Sequence, residues 1–423
     1  MGKGKTMLKR GLIGVITVLA IGLGWLSWLN YAAGERVAAA REAIVKAGRP
    51  IHIKDLYSTN VPDADNAFVE FAKWKEEIKV ADAAVSGTRE KQTPYLEDRK
   101  LTPEEIDELA AILAAHQVMI DDLVVGSKKK QLRIPIDVDK PETVVEELLN
   151  RSQEFRSIAR VLSANVRLKI AQGKNDEALE NAVAILRWSQ LTTQQPTLVS
   201  YLVALAVRGI GISYAAEVLY AGPVQEESLK ELEAVLLSFE TNDVWKNTVY
   251  SEIPFFVDVF HPQMPVATRH LWFSLNAEAD YLETMRMSAE RPVVKDGVFA
   301  KETAEKGSVL PTSWIVVSVL PALNAAEEAT KRVEAQTRCV LALSQWRRQG
   351  ATAIDIKDLQ LRGNIAIDPY DGGALKARVS EVGLVFYTVG NNRVDDGGDK
   401  SFLTQADVGV LPLELRIKLA EEE

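Results

Sequence analysis

The chain of 423 residues carries 50 basic and 59 acidic side chains, a net charge of −9. That balance repels phosphate backbones and leaves no basic domain to overcome the repulsion, which argues against nucleic acid as a partner. The length exceeds one ordinary core and implies two or three packed units, and a single cysteine, Cys339, excludes a disulfide within the chain.

In chain order, residues 11–29 come first: they carry no charge and lie in an uncharged interval between Arg10 and Glu35. A helix rising about 1.5 Å per residue covers roughly 30 Å over such a stretch, the thickness of a bilayer's hydrocarbon core. Lys3, Lys5, Lys9 and Arg10 precede it, and Trp25, Trp28 and Tyr31 cluster at its far end. This order predicts a transmembrane anchor with a cytoplasmic amino terminus and an aromatic belt outside. Ala32, Ala33 and Gly34 offer small residues to a signal peptidase, but the apolar run is longer than a signal core of about 7–15 residues, so an uncleaved anchor is expected over residues 1–34.

Residues 35–140 read as a stalk and a first helical region. The anchor helix continues to Gly48-Arg49-Pro50, where glycine and proline oppose further helix, and 51–63 reads as an extended linker. Helical spacing resumes over 65–84 through Phe68, Phe71, Trp74 and Ile78. Thr102-Pro103-Glu104-Glu105 is a capping box with proline at the first helical position, predicting one helix to Gly126. The basic run 128–130 reads as a solvated loop.

Residues 141–324 read as the main bundle of antiparallel helices. Segments 141–172 and 176–193 form an αα-hairpin about Gly173-Lys174-Asn175; its small residues are tetratricopeptide-like, with no recurrence at about 34 residues. Segment 197–220 is apolar almost all round, but Arg208 and Glu217 oppose a second span, so a buried central helix is expected. Segment 225–239 is amphipathic. Between Trp245 and Tyr281 stand eight aromatics, among them Phe260, Trp272 and Phe273, together with His261 and His270. Core packing with turns at Pro254, Pro262 and Pro265 explains them most simply; a ligand pocket or a membrane-facing surface is the alternative. The two histidines have no recognised metal spacing.

Residues 325–423 form the last module. Cys339 falls in the helical run 325–346 and reads as a small core residue rather than a nucleophile. After Gly350, the turn-rich Asp368-Pro369-Tyr370-Asp371-Gly372-Gly373 leads to a predicted hairpin, 375–379 with 384–389. Beyond it, Asn391, Asn392, Asp395, Asp396 and Asp399 alternate with glycines. Closely spaced oxygens of this kind suit calcium, which takes six to eight of them, although a glycine-rich surface turn is the plainer reading of the spacing. Residues 411–419 alternate Leu413, Leu415, Ile417 and Leu419 with charged residues, predicting an edge strand.

The helix ending near Trp346, the turn at Asp368, the hairpin, Gly390-Asn391-Asn392 and Asp395-Asp396 together resemble the carboxy-terminal half of the major pseudopilin of type II secretion, over about residues 325–407. The resemblance implies a calcium loop with Asn392, Asp395, Asp396 and Asp399 as side-chain ligands, and Ca2+ as the cofactor. Two features depart from that family: Asn392 stands where an aspartate is usual, and the amino terminus lacks the prepilin cleavage pattern, with Ile16 in place of the assembly glutamate. The whole order resembles bacterial single-pass membrane proteins with a helical domain and a pseudopilin-like cap. It implies the bacterial cytoplasmic (inner) membrane, with the bulk periplasmic.

The expected fold class is therefore mainly α: an N-terminal transmembrane helix, a multi-helix bundle and a small C-terminal α+β hairpin module. No Gly-x-Ser-x-Gly elbow, His-Glu-x-x-His, phosphate loop or paired-cysteine motif recommends an enzyme. The expected function is a membrane-anchored extracytoplasmic scaffold or interaction module, partnered by the membrane and other envelope proteins, with no small-molecule substrate indicated. Its rivals are a pseudopilin-type secretion component and a hydrolase using bundle carboxylates.

Overall fold

A computed structural model describes residues 2–57, 61–88, 91–92, 94–300, 314–351, 355–361, 363–381, 383–398 and 406–421. It is mainly helical, with small antiparallel sheets. The first elements are α1 (Gly2–Lys46), α2 (Ile53–Leu56), α3 (Phe68–Ser86), β1 (Gly87–Thr88), β2 (Lys91–Gln92), α4 (Pro103–Ala115) and α5 (Gln117–Ser127). The bundle helices follow as α6 (Pro141–Ala171), α7 (Asn175–Thr192), α8 (Leu198–Ala221), α9 (Glu226–Leu237) and α10 (Thr241–Phe255). Then come α11 (His261–Gln263), α12 (Val266–Arg269), α13 (Trp272–Glu290), β3 (Val294–Lys295), β4 (Val298–Phe299) and α14 (Trp314–Arg348). The last are β5 (Lys376–Ser380), β6 (Gly383–Thr388), β7 (Val408–Gly409) and α15 (Leu413–Glu421).

Two compact units divide the chain. The first comprises Met1–Tyr57, Val249–Arg291 and Thr303–Leu323; the second comprises Ser58–Thr248, Pro292–Glu302 and Asn324–Glu423.

In the first unit, α1 is uninterrupted and is long and apolar enough to cross a membrane, with a mean hydropathy of 1.7 over a window that nothing in the structure covers. It stops where glycine and proline predict. Gly48 takes a φ of +69°, so its N–H reaches the Val45 carbonyl and that of Arg49 reaches Ile44, a Schellman closure. Past the apolar segment, α1 packs along α13 through a buried stripe of Ala33, Val37, Ala40 and Ile44. The linker expected after Pro50 contains α2, whose first amide, from Ile53, donates to Asp258 Oδ2 at 2.8 Å. The expected turn at Pro254 is absent: Pro254 stays inside α10, and the chain widens into a π-helix over Phe256–Phe260. Proline cannot donate to the preceding turn, yet the helix runs through it, and the π-turn that follows closes with the His261 N–H bonded to the Phe256 carbonyl.

The second unit is organised on α6, α7 and α8, which pack on one another. Gly173, at φ +70°, closes α6 as expected. Asn175 is not the cap: it begins α7 and donates instead to the Pro223 carbonyl, while Asp176 Oδ1 accepts from Gln225 N and Ser228 Oγ at the start of α9. Helix α8 is apolar enough for a span, yet it is two-thirds buried, as its charges foretold. Gly211 brings it against α7, where a Cβ would stand 2.9 Å from the Leu186 side chain and 3.2 Å from its backbone N. Phe71, Phe155 and Trp188 line the interior, and the Trp188 indole donates to the Leu123 carbonyl.

Two expectations fail here. The helix started by the Thr102 capping box, which forms in full, does not run to Gly126: α4 and α5 meet at His116 with a bend of 72°. His116 leaves helical geometry, with φ −116°, and its Nδ1 lies 3.0 Å from Glu77. The expected strand at 411–419 is the helix α15. Leu, Glu, Arg and Lys are good helix formers, and the amides of Leu415 and Arg416 both bond to the Pro412 carbonyl, so local propensity prevails over the alternation.

The hairpin forms as predicted. β5 and β6 pair antiparallel from Lys376 with Tyr387 to Ser380 with Gly383, and β7 adds to β6. Gly383 has a φ of +113° and lies so close to the Trp346 indole that no side chain fits.

Candidate functional site

The sequence-predicted ligands lie on the loop after β6. Asn392 and Asp396 meet, the amide donating to Asp396 Oδ2 at 2.7 Å while Asn392 Oδ1 accepts from Val394 N. Asp395 Oδ1 turns the other way, accepting from Tyr387 Oη and Gly397 N, both at 3.0 Å. Asp399 lies outside the described residues. Sequence reasoning missed Asp407, which is 1% exposed and closes the loop from behind by accepting from the amides of Asp396 and Gly398. Arg393 takes a φ of +55°, a conformation that costs a non-glycine residue on the order of 1 kcal/mol. Among the described residues, no group of three or more His, Cys, Asp or Glu is arranged to hold a metal ion. The oxygen donors of Asn392 and Asp396 have the chemistry of a hard-cation site, and a cation between them would replace their mutual hydrogen bond.

At the other end of the turn, Asp368 is fully buried. Its Oδ1 accepts from Tyr370 N, and its Oδ2 from Lys376 Nζ at 3.0 Å and Val389 N at 2.9 Å. The carboxylate thus ties the turn to the end of β6. Burial first lowers and the two aspartates, 368 and 371, then raise the Lys376 ammonium, which ends above its ordinary value. Asp407 also lines a cleft of about 270 Å3 with Ser213, Gln336, Arg332 and Arg416. Arg416 is held there by Ser213 Oγ at 2.9 Å and Glu217 Oε2 at 3.0 Å. Burial pushes the Glu217 carboxyl above its ordinary value against the pull of Arg416. Cys339 lies fully buried in α14, and burial raises its thiol far above the usual range, which suits a core residue.

The first unit holds a charged seam that no motif announced. Arg36 donates to Asn276 Oδ1 at 2.6 Å and Asp280 Oδ1 at 2.8 Å. Five residues on, Arg41 grips the buried Glu278, whose other oxygen stands 3.3 Å from His261 Nε2. His52 Nδ1 meets Asp258 Oδ1 at 2.8 Å. Desolvation depresses the His261 imidazole below its ordinary value; Glu278 opposes this, while Arg41, Arg269 and His270 add to it. Arg36, Arg41 and His52 each find their carboxylates more than 200 positions away in sequence, so the only sequence signal was Glu278 and Asp280 standing among apolar residues on one helix. A carboxylate already gripped by arginine is a clamp rather than a free base. When this chain is compared with protein-family models, curated proteins and solved structures, none of them matches it.

Proposed function

We propose that the protein is a single-pass membrane-anchored scaffold, with its amino terminus in the cytoplasm and its helical bulk outside the inner membrane of a bacterial cell, where it engages other envelope proteins. One observation carries the reading: the apolar segment of α1 is wholly uncovered while the equally apolar α8 is buried in a core. An uncovered apolar helix of that length matches a bilayer. Basic residues before it and Trp25, Trp28 and Tyr31 after it support the orientation. The scaffold role is favoured by the seam and the Asp368 hub, whose buried carboxylates are held by cations and amides. Alkaline carbonate is expected to leave the protein in the membrane pellet, and protease added to spheroplasts to digest the chain beyond about Glu35. Release by carbonate overturns the anchor; protection from protease reverses the topology.

A second reading, calcium at the loop of Asn392, Asp395, Asp396 and Asp399, is favoured by the meeting of Asn392 with Asp396. A ligand that binds only the folded state raises stability by about 2.7 kcal/mol at a hundred times its Kd. The melting temperature is therefore expected to rise with calcium and to lose that response in the double variant Asp395→Ala, Asp396→Ala. An unchanged melting temperature in calcium and in chelator removes the reading.

A further inference from the structure

From Val259 to Ala277 the chain contains no aspartate or glutamate, although 59 of its 423 residues are acidic. Four apolar side chains in that interval are open: Phe260 at 52%, Val266 at 68%, Trp272 at 39% and Phe273 at 45% exposure. Core packing accounts for Tyr250, Phe255, Phe256 and Tyr281, which are buried. It does not account for these four, and exposed aromatics gathered in one segment mark a contact surface.

The level of Trp272 and Phe273 along α1 is fixed by a hydrogen bond. The Trp272 N–H donates to Asn30 Oδ1 at 2.6 Å, and Asn30 directly follows the uncharged residues 11–29. From there α13 runs in the same direction as α1, with Arg36 meeting Asn276 and then Asp280. Trp25 and Trp28, whose rings lie 5.1 Å apart, stand on α1 just before this point. The first turn of α13 is therefore level with the end of the apolar segment, where an aromatic belt belongs.

We propose that segment 260–273 lies on the outer lipid surface as a second, non-spanning membrane contact, resting on the reading of α1 as a span. Phe260, Val266, Trp272 and Phe273 enter the headgroup region, and the Arg269 guanidinium stands beside anionic headgroups. Apolar side chains backed by a cation and free of acids suit an interfacial segment. The span makes the contact intramolecular, so a weak intrinsic affinity suffices.

The test uses the full chain in vesicles of phosphatidylcholine and phosphatidylglycerol, with nitroxide labels on Leu19→Cys, Val266→Cys, Phe273→Cys and Val80→Cys. Val80 is an exposed position on α3, and the buried Cys339 of the unsubstituted protein serves as the labelling control. Collisions with oxygen are expected to exceed those with a water-soluble nickel chelate severalfold at positions 19, 266 and 273, and to fall below them at position 80. If 266 and 273 behave like 80 while 19 is lipid-like, the surface contact is wrong and the span stands. If 19 also behaves like 80, the span reading fails and takes the proposal with it. Dipolar broadening between labels at 273 places a second copy on this face and overturns the lipid assignment.

Discussion

At the scale of single residues, buried charge decides most. Asp368 accepts three hydrogen bonds with no exposure to water, so its loss leaves the Tyr370 and Val389 amides unpaired and the Lys376 ammonium with Asp371 as its remaining carboxylate. A buried donor left unsatisfied costs about 1–3 kcal/mol, and with two such amides Asp368→Ala is expected to lose about 3 kcal/mol in equilibrium unfolding. A loss under about 1 kcal/mol would show that the hub is dispensable. His261 gives the pH dependence. Its folded imidazole is depressed by burial, so the unfolded chain binds the proton more readily. The stabilisation is present above the unfolded value of about 6.5 and is lost as pH falls through the folded value. Melting temperatures taken downward from neutral pH should drop more for the native chain than for His261→Gln, and equal drops would remove His261 as the cause.

At the scale of elements, what was legible was local. The Thr102 capping box, the Gly48 and Gly173 stops, the αα-hairpin and the two-strand hairpin rest on residues a few positions apart, and all of them form. What the sequence misjudged turned on competition between local rules or on distant partners: the period-two alternation of 411–419 yields to helix propensity, Pro254 stays inside a helix that runs on into a π-turn, and His116 breaks a helix beside Glu77 from another element. The approach of α7 to α8 is likewise invisible until both helices are placed. Gly211 permits it, and Gly211→Val is expected to cost about 1–3 kcal/mol by overpacking against Leu186. A thermal midpoint equal to that of the native chain would show that α7 can retreat at no cost.

At the scale of the whole molecule, the mainly helical class and the long apolar α1 followed from hydrophobic period and length, whereas the seam of the first unit did not, because Arg36, Arg41 and His52 find partners more than 200 positions away. Asp407, which backs the acidic loop, follows that loop in sequence without any spacing to mark it. The unbroken α1 has one more consequence. With no flexible joint between the apolar segment and Lys46, it works as a ruler rather than a tether. Each residue inserted just before Asn30 would lift the first unit by about 1.5 Å and turn it by about 100°. Seven residues would restore its heading to within about 20° and raise it by roughly 10 Å. With the apolar segment held in a bilayer, as proposed, reach and heading are quantised together, and standoff changes without a change of facing only in steps of whole helical turns.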